Sequence, residues 1–264
     1  MARVQTMTTT ANEARPVVRR IGVADVQDAL ARGLDDFRAK PSHLLFIAII
    51  YPLCALLLTR YAFGYNILPL LFPMAAGFAL IGPFAAIGLY ELSRRRERGE
   101  EIGWQHAFGV LRSPSIGSIL LLGAILFVIF LAWIGAAQAI YLAIFGGERV
   151  PGSFGDLTRQ VLGTQEGWRL ILIGNFVGFL FAVVAFCISV VSFPLLLDRK
   201  VSVATAVTTS LRAVWTNPIP MVLWGLIVVV GLVVGSLPFF IGLAVVMPVL
   251  GHATWHLYRK VVAD

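Results

Sequence analysis

Residues 213–258 read AVWTNPIPMVLWGLIVVVGLVVGSLPFFIGLAVVMPVLGHATWHLY, 46 positions without one Asp, Glu, Lys or Arg. A helix crosses the hydrocarbon core of a bilayer in about 20 residues, so this run is too long for one span. It breaks naturally at Gly235-Ser236-Leu237-Pro238, a pair of turn signals. Two antiparallel spans are expected, over 219–235 and 239–258.

The same reading extends toward the N-terminus. Charge-free runs also cover 41–59, 61–90, 113–147 and 170–197. Hydrophobic residues make up 58% of the chain and charged residues 13%, against about 25% charged in soluble domains. Backbone groups in lipid must bond within their own segment, so each run is expected to be helical. A barrel would need short segments of alternating polarity, and none is visible. The expected fold is therefore all-α: a polytopic bundle of six spans at 44–59, 67–91, 116–145, 170–197, 219–235 and 239–258.

Each pair of spans follows a short amphipathic segment and a proline. The segments end at Pro41, Pro114 and Pro218. Seven positions before these prolines stand Leu34, Ala107 and Leu211; four before stand Phe37, Val110 and Val214. In the first segment Val23, Val26, Leu30, Leu34 and Phe37 share one helix face. Such helices are too amphipathic to span and suit the membrane interface. The chain is thus read as a tail, 1–20, expected to be polar and disordered with no signal peptide, and one membrane domain, 21–264. That domain holds three repeats of helix plus hairpin, at about 21–95, 100–200 and 201–260.

Charge sets orientation. Of 21 Lys and Arg, 17 fall before the first span, between spans two and three, between four and five, or after six. Arg60, Arg149, Arg159 and Arg169 fall on the other side. The positive-inside rule then places both termini in the cytoplasm, and the expected location is a bacterial inner membrane. Topology and anionic lipid account for the net charge of +7. Nucleic acid is not an expected partner.

Within the spans, Gly174 and Gly178 form one G-x-x-x-G and Gly231 and Gly235 another. Such faces let helices approach closely, within the bundle or between copies. The returning spans share Pro83, Pro194 and Pro248, where kinks are expected. Asn175 and Gln138 are the notable polar residues inside spans, and interhelical hydrogen bonding is their expected role.

Chemistry-bearing motifs are sparse. No phosphate-binding glycine loop, nucleophile elbow or zincin motif is present, so no catalytic residue and no metal ligand is assigned. His252 and His256, four apart on one face, are the candidate cofactor-binding pair. Interface hydrogen bonding is the stronger expectation for them, and no cofactor is assigned.

The helix leading to Lys40-Pro41 looks familiar, as do Ile81-Gly82-Pro83-Phe84 running to Leu89-Tyr90-Glu91-Leu92-Ser93-Arg94-Arg95, and Phe193-Pro194-Leu195-Leu196-Leu197-Asp198-Arg199. Together, over about 21–260, they resemble a bacterial family of predicted integral membrane proteins, domain of unknown function 2189. Its members are sometimes labelled cytochrome c oxidase subunits. The resemblance implies six spans and an inner membrane, and carries no catalytic residues. The expected function is that of a non-enzymatic scaffold or accessory subunit binding membrane lipids, another integral membrane protein or its own copy. Two alternatives are a transporter or lipid-handling protein using the kinked helices, and a haem or metal protein using His252 and His256.

Overall fold

The computed structural model describes residues 16–40, 68–146, 151–237 and 241–263. The expected first span lies outside them, as do Pro41, His43, Pro52 and Cys54. The described chain is helical throughout: α1 (Val23–Ala39), α2 (Leu71–Ala85), α3 (Ile87–Glu97), a 3-10 helix (Trp104–Arg112), α4 (Ile116–Phe145), α5 (Phe154–Leu162), α6 (Gln165–Ser189), α7 (Ser192–Asp198), α8 (Val203–Thr216), α9 (Pro218–Ser236) and α10 (Leu243–Val261).

Among the described residues, three helices are long and apolar enough to cross a membrane: Ile116–Phe145, Gln165–Asp198 and Pro218–Ser236. Their flanks are turned inside out relative to a soluble bundle. Leu120, Phe127 and Leu131 on α4, Phe176 and Phe179 on α6, and Val222, Leu226 and Val229 on α9 are all exposed. Apolar surface this continuous demands a covering phase, and lipid tails supply it. Gly146, at φ +72, ends α4, because a left-handed residue cannot continue the helix. Ser153 accepts from the Asp156 amide and opens α5, no residue of which is buried.

Two of the long runs are interrupted. The stretch expected as one span, 67–91, divides at Ala86 into α2 and α3, three residues past Pro83. The fourth run divides at Val190–Val191 into α6 and α7. In an unbroken helix the Val191 amide would bond to the Cys187 carbonyl. Instead Ser210, from α8, inserts its hydroxyl between them. Its Oγ accepts from Val191 N at 3.3 Å and donates to Cys187 O at 2.7 Å. Pro194, one turn on, has no amide to give to Val190. Pro248 lies inside α10, which continues past it.

The core sits at one end of the bundle. There α3, α7 and α10 pack on one another, burying Tyr90, Phe193, Leu195, Leu196, Trp255 and Tyr258. Short amphipathic helices clasp this trio. α1 lies along α10, the 3-10 helix lies on α3, and α8 lies against α6 and α7. The face α1 buries is Val26, Ala29, Gly33 and Asp36, one step around from the larger Leu30, Leu34 and Phe37, which are half-buried. The reason is closeness. A β-carbon on Gly33 would stand 2.5 Å from the Ala253 backbone nitrogen.

Within the segment expected as a tail, residues 16–20 run beside the C-terminus. Val18 bridges Val262, Arg19 N donates to Val261 O at 2.7 Å, and Ala263 N donates to Val17 O at 2.9 Å. Asn217 fastens the same segment, accepting from Ile21 N at 2.8 Å and donating to Arg19 O at 3.0 Å. Residue 18 and residue 262 therefore lie at the same end of the molecule.

Candidate functional site

Helices α1, α3 and α10 each bring polar side chains to one buried point. Asp36 comes from α1, Ser93 and Arg96 from α3, and His252 and His256 from α10. The two histidines sit four apart, so one face of α10 presents both. All but Arg96 are buried, and α1 reaches them because Gly33 and Ala29 let its axis close on α10.

Asp36 is the hub. Its Oδ2 receives Ser93 Oγ at 2.5 Å and His256 Nε2 at 2.8 Å, and its Oδ1 receives Arg96 Nη1 at 2.5 Å. An ionised carboxylate only accepts, which fixes the directions around it. Ser93 spends its proton on Asp36, so its oxygen accepts from His252 Nδ1 at 2.8 Å. His252 Nε2 is buried beside the Leu89 backbone without a hydrogen bond of good geometry. Burial opposes the charge on Asp36, yet the bonds from His256, Ser93 and Arg96 outweigh it and hold the carboxyl below its ordinary range.

Around the hub runs an ionic layer. Glu91, buried, lies 2.6 Å from Arg94 Nη2 and accepts from Arg95 Nε at 3.0 Å; the close approach to Arg94 is poorly aligned for a hydrogen bond. Arg94 also donates to the Leu197 carbonyl at 2.9 Å, tying α3 to α7. Asp198 accepts from Tyr258 Oη at 2.7 Å and lies within 4 Å of Arg98, Arg199 and Arg259. Glu97 accepts from Trp255 Nε1 at 3.0 Å and Arg259 Nε at 3.1 Å. Lys260 reaches Asp25 at 3.2 Å and Asp28 at 2.9 Å, latching α1 again. Arg199 donates to the Ala263 carbonyl. A cavity of about 250 Å³ opens beside His256, walled by Arg32, Glu97, Arg259 and Lys260.

The other marked residues fall elsewhere. A β-carbon added at Gly178 would stand 2.9 Å from the Trp133 ring of α4, while one added at Gly174 would meet nothing within 4 Å. Gly231 and Gly235 face α10, through Val246 and Leu243. Asn175 is exposed and bonds back to its own helix at Ile171 O, 2.7 Å away. Trp255 is buried, whereas Trp168 and Trp215 are exposed.

The arrangement links helices and holds a carboxylate charged. Among the described residues, no three His, Cys, Asp or Glu are grouped to hold a metal ion. Asp36, His252 and His256 meet through hydrogen bonds to one another and to Ser93, not around a common centre.

Residues 71–198, from α2 through α7, match the family described as predicted integral membrane protein, DUF2189. Over this segment, a little under half of its length, the chain is similar to DUF2189. The match is narrower than the expected 21–260. It takes in Pro83, the basic end of α3, and Phe193 to Asp198, and leaves out α1 and α10. Asp36 and both hub histidines thus lie outside the matched segment, while Ser93 and Arg96 lie inside it. No curated protein and no solved structure matches the chain.

Proposed function

We propose that this is a non-enzymatic scaffold or accessory subunit of a bacterial inner membrane. It has six spans in three repeats, with both termini in the cytoplasm. Its occupants are membrane lipid and a further membrane protein or second copy.

The observation that carries this reading is the way the ionic layer closes. Each amphipathic segment packs on the returning helix of a neighbouring repeat: α1 on α10, the 3-10 helix on α3, and α8 on α7. Taken in order, the three contacts form a ring. The carboxylates Asp36, Glu97 and Asp198 are each committed to a cation or hydroxyl of another helix of that ring, and Glu91 holds Arg94 on its own helix while Arg94 donates to the Leu197 carbonyl of α7. Polar groups spent on one another hold helices in place, as a scaffold requires. The pairing of Val18 with Val262 supports an even number of crossings, and the excess of Arg and Lys at that end supports a cytoplasmic side.

Topology reporters at Gly64, Gly152 and the C-terminus test the membrane part. The first two are expected outside and the last inside, and an external C-terminus overturns it. Purification in mild detergent, with unbiased identification of what is retained, tests the scaffold part. A stoichiometric lipid or protein partner is expected. A Soret band or stoichiometric metal overturns that part in favour of a cofactor on His252 and His256.

A further inference from the structure

A second cavity, of about 420 Å³, is lined by other members of the ionic layer. It is a half-open cleft bordered by α3, the 3-10 helix, the start of α4 and the end of α7. Its wall carries six cations, Arg94, Arg95, Arg98, Arg112, Arg199 and Lys200, against two carboxylates, Glu91 and Asp198. Four positive charges are therefore left over in one concave space.

The two kinds of cation differ in commitment. Arg94 and Arg95 are held by Glu91, and Arg98 and Arg199 flank Asp198 at 3.7 and 3.9 Å. Arg112 and Lys200 meet no carboxylate among the described residues and are exposed. Convergent positive charge in a pocket of this size costs self-repulsion unless an anion enters. Ser113 and Ser115 add polar groups to the wall. Ser115 makes no side-chain cap for α4, so the positive end of a 30-residue helix lies at the same place, adding to the field that the cations set. At Gly109 an added β-carbon would meet nothing within 4 Å, so the cavity reaches the backbone there.

We propose that this cavity binds a phosphate-bearing anion, with Arg112 and Lys200 as the free cations that engage it. Guanidinium and ammonium groups at a membrane face suit phosphate chemistry from either a lipid headgroup or a soluble phosphate. The proposal does not rest on the scaffold reading, since a soluble phosphate would bind whatever the protein's partners are.

The test uses the full chain in nanodiscs, in two arms. In the first, phosphatidylcholine nanodiscs are titrated with inorganic pyrophosphate. In the second, phosphatidylglycerol is added to the nanodisc, and lipid retained on the protein is counted by native mass spectrometry. Saturable one-site binding is expected in one arm, and the arm identifies the source. Arg112→Gln with Lys200→Gln is expected to weaken it by roughly tenfold or more, about one charge-assisted contact's worth. Gly109→Leu, which fills space without changing charge, is expected to abolish it at an unchanged melting temperature. Absence of saturable binding in both arms overturns the proposal. So does binding that the double variant leaves intact, or binding that falls in the double variant but persists in a folded Gly109→Leu protein, which is diffuse attraction to a basic surface.

Discussion

His256 Nε2 donates to Asp36 Oδ2 across 2.8 Å of space and 220 positions of sequence. The bond joins the first described helix to the last, and it is one of three that converge on the same carboxylate. A buried charge held this way is costly to strip of its partners.

Asp36→Ala removes the hub and leaves His256, Ser93 and the Arg96 guanidinium without their acceptor. A loss of roughly 3–5 kcal/mol is expected, the cost of breaking a buried pair from one side. Thermal unfolding in detergent, followed by size-exclusion, measures it. A melting temperature equal to that of the parent protein contradicts the hub.

Acid should undo the same contact. The Asp36 carboxyl is depressed below 3.8 in the folded protein. Its stabilisation is therefore complete above the ordinary carboxylate pKa, and is lost as pH falls through the lower folded value. Stability measured from pH 6 downward is expected to drop in that acid window for the parent chain, and to drop less steeply for Asp36→Asn. Lys260, raised by Asp28 and Asp25, acts in the opposite sense. Its contribution is present below 10.5 and fades as pH rises through the folded value.

Gly33→Ala is a small change at a place without room. The new methyl would sit 2.5 Å from backbone at Ala253, and backbone cannot swing aside. Overpacking of about 1–3 kcal/mol is expected, with α1 becoming sensitive to protease. Gly174→Ala, in open surroundings, is expected to leave both stability and protease resistance unchanged.

Ser210→Ala tests the interrupted helix. Removing the hydroxyl orphans the Val191 amide and the Cys187 carbonyl, at a cost of about 1–3 kcal/mol each for groups buried without a partner. A stability drop in that range is expected, and Ser210→Thr, which keeps the oxygen, is expected to recover most of it.

How much of this was legible depends on distance along the chain. α4 begins and ends at the residues expected, Ile116 and Phe145, because Pro114 and Gly146 punctuate a charge-free run. The break at Val190 is a different case. Pro194 suggested a kink, but the group that fills the gap is a serine from the next helix, and only a polar residue on the packed face of α8 hinted at it. The histidine pair stood out through its spacing. Asp36 did not, although a carboxylate in register with Val26, Ala29 and Gly33 was the available sign. Its partners lie on α3 and α10, and no local pattern announces a contact that tertiary packing alone creates.

The pairing of residues 17–19 with residues 261–263 bears on how the molecule is made. Synthesis runs from one end, and α1 emerges long before α10 exists. Until residues 250–263 have been made, the first described helix has neither Ala253 to lie against nor His256 to bind. The latch can form only once residues 261–263 have emerged to meet residues 17–19. A nascent chain stalled before residue 250 therefore carries an undocked first helix, open to proteases that the finished protein resists.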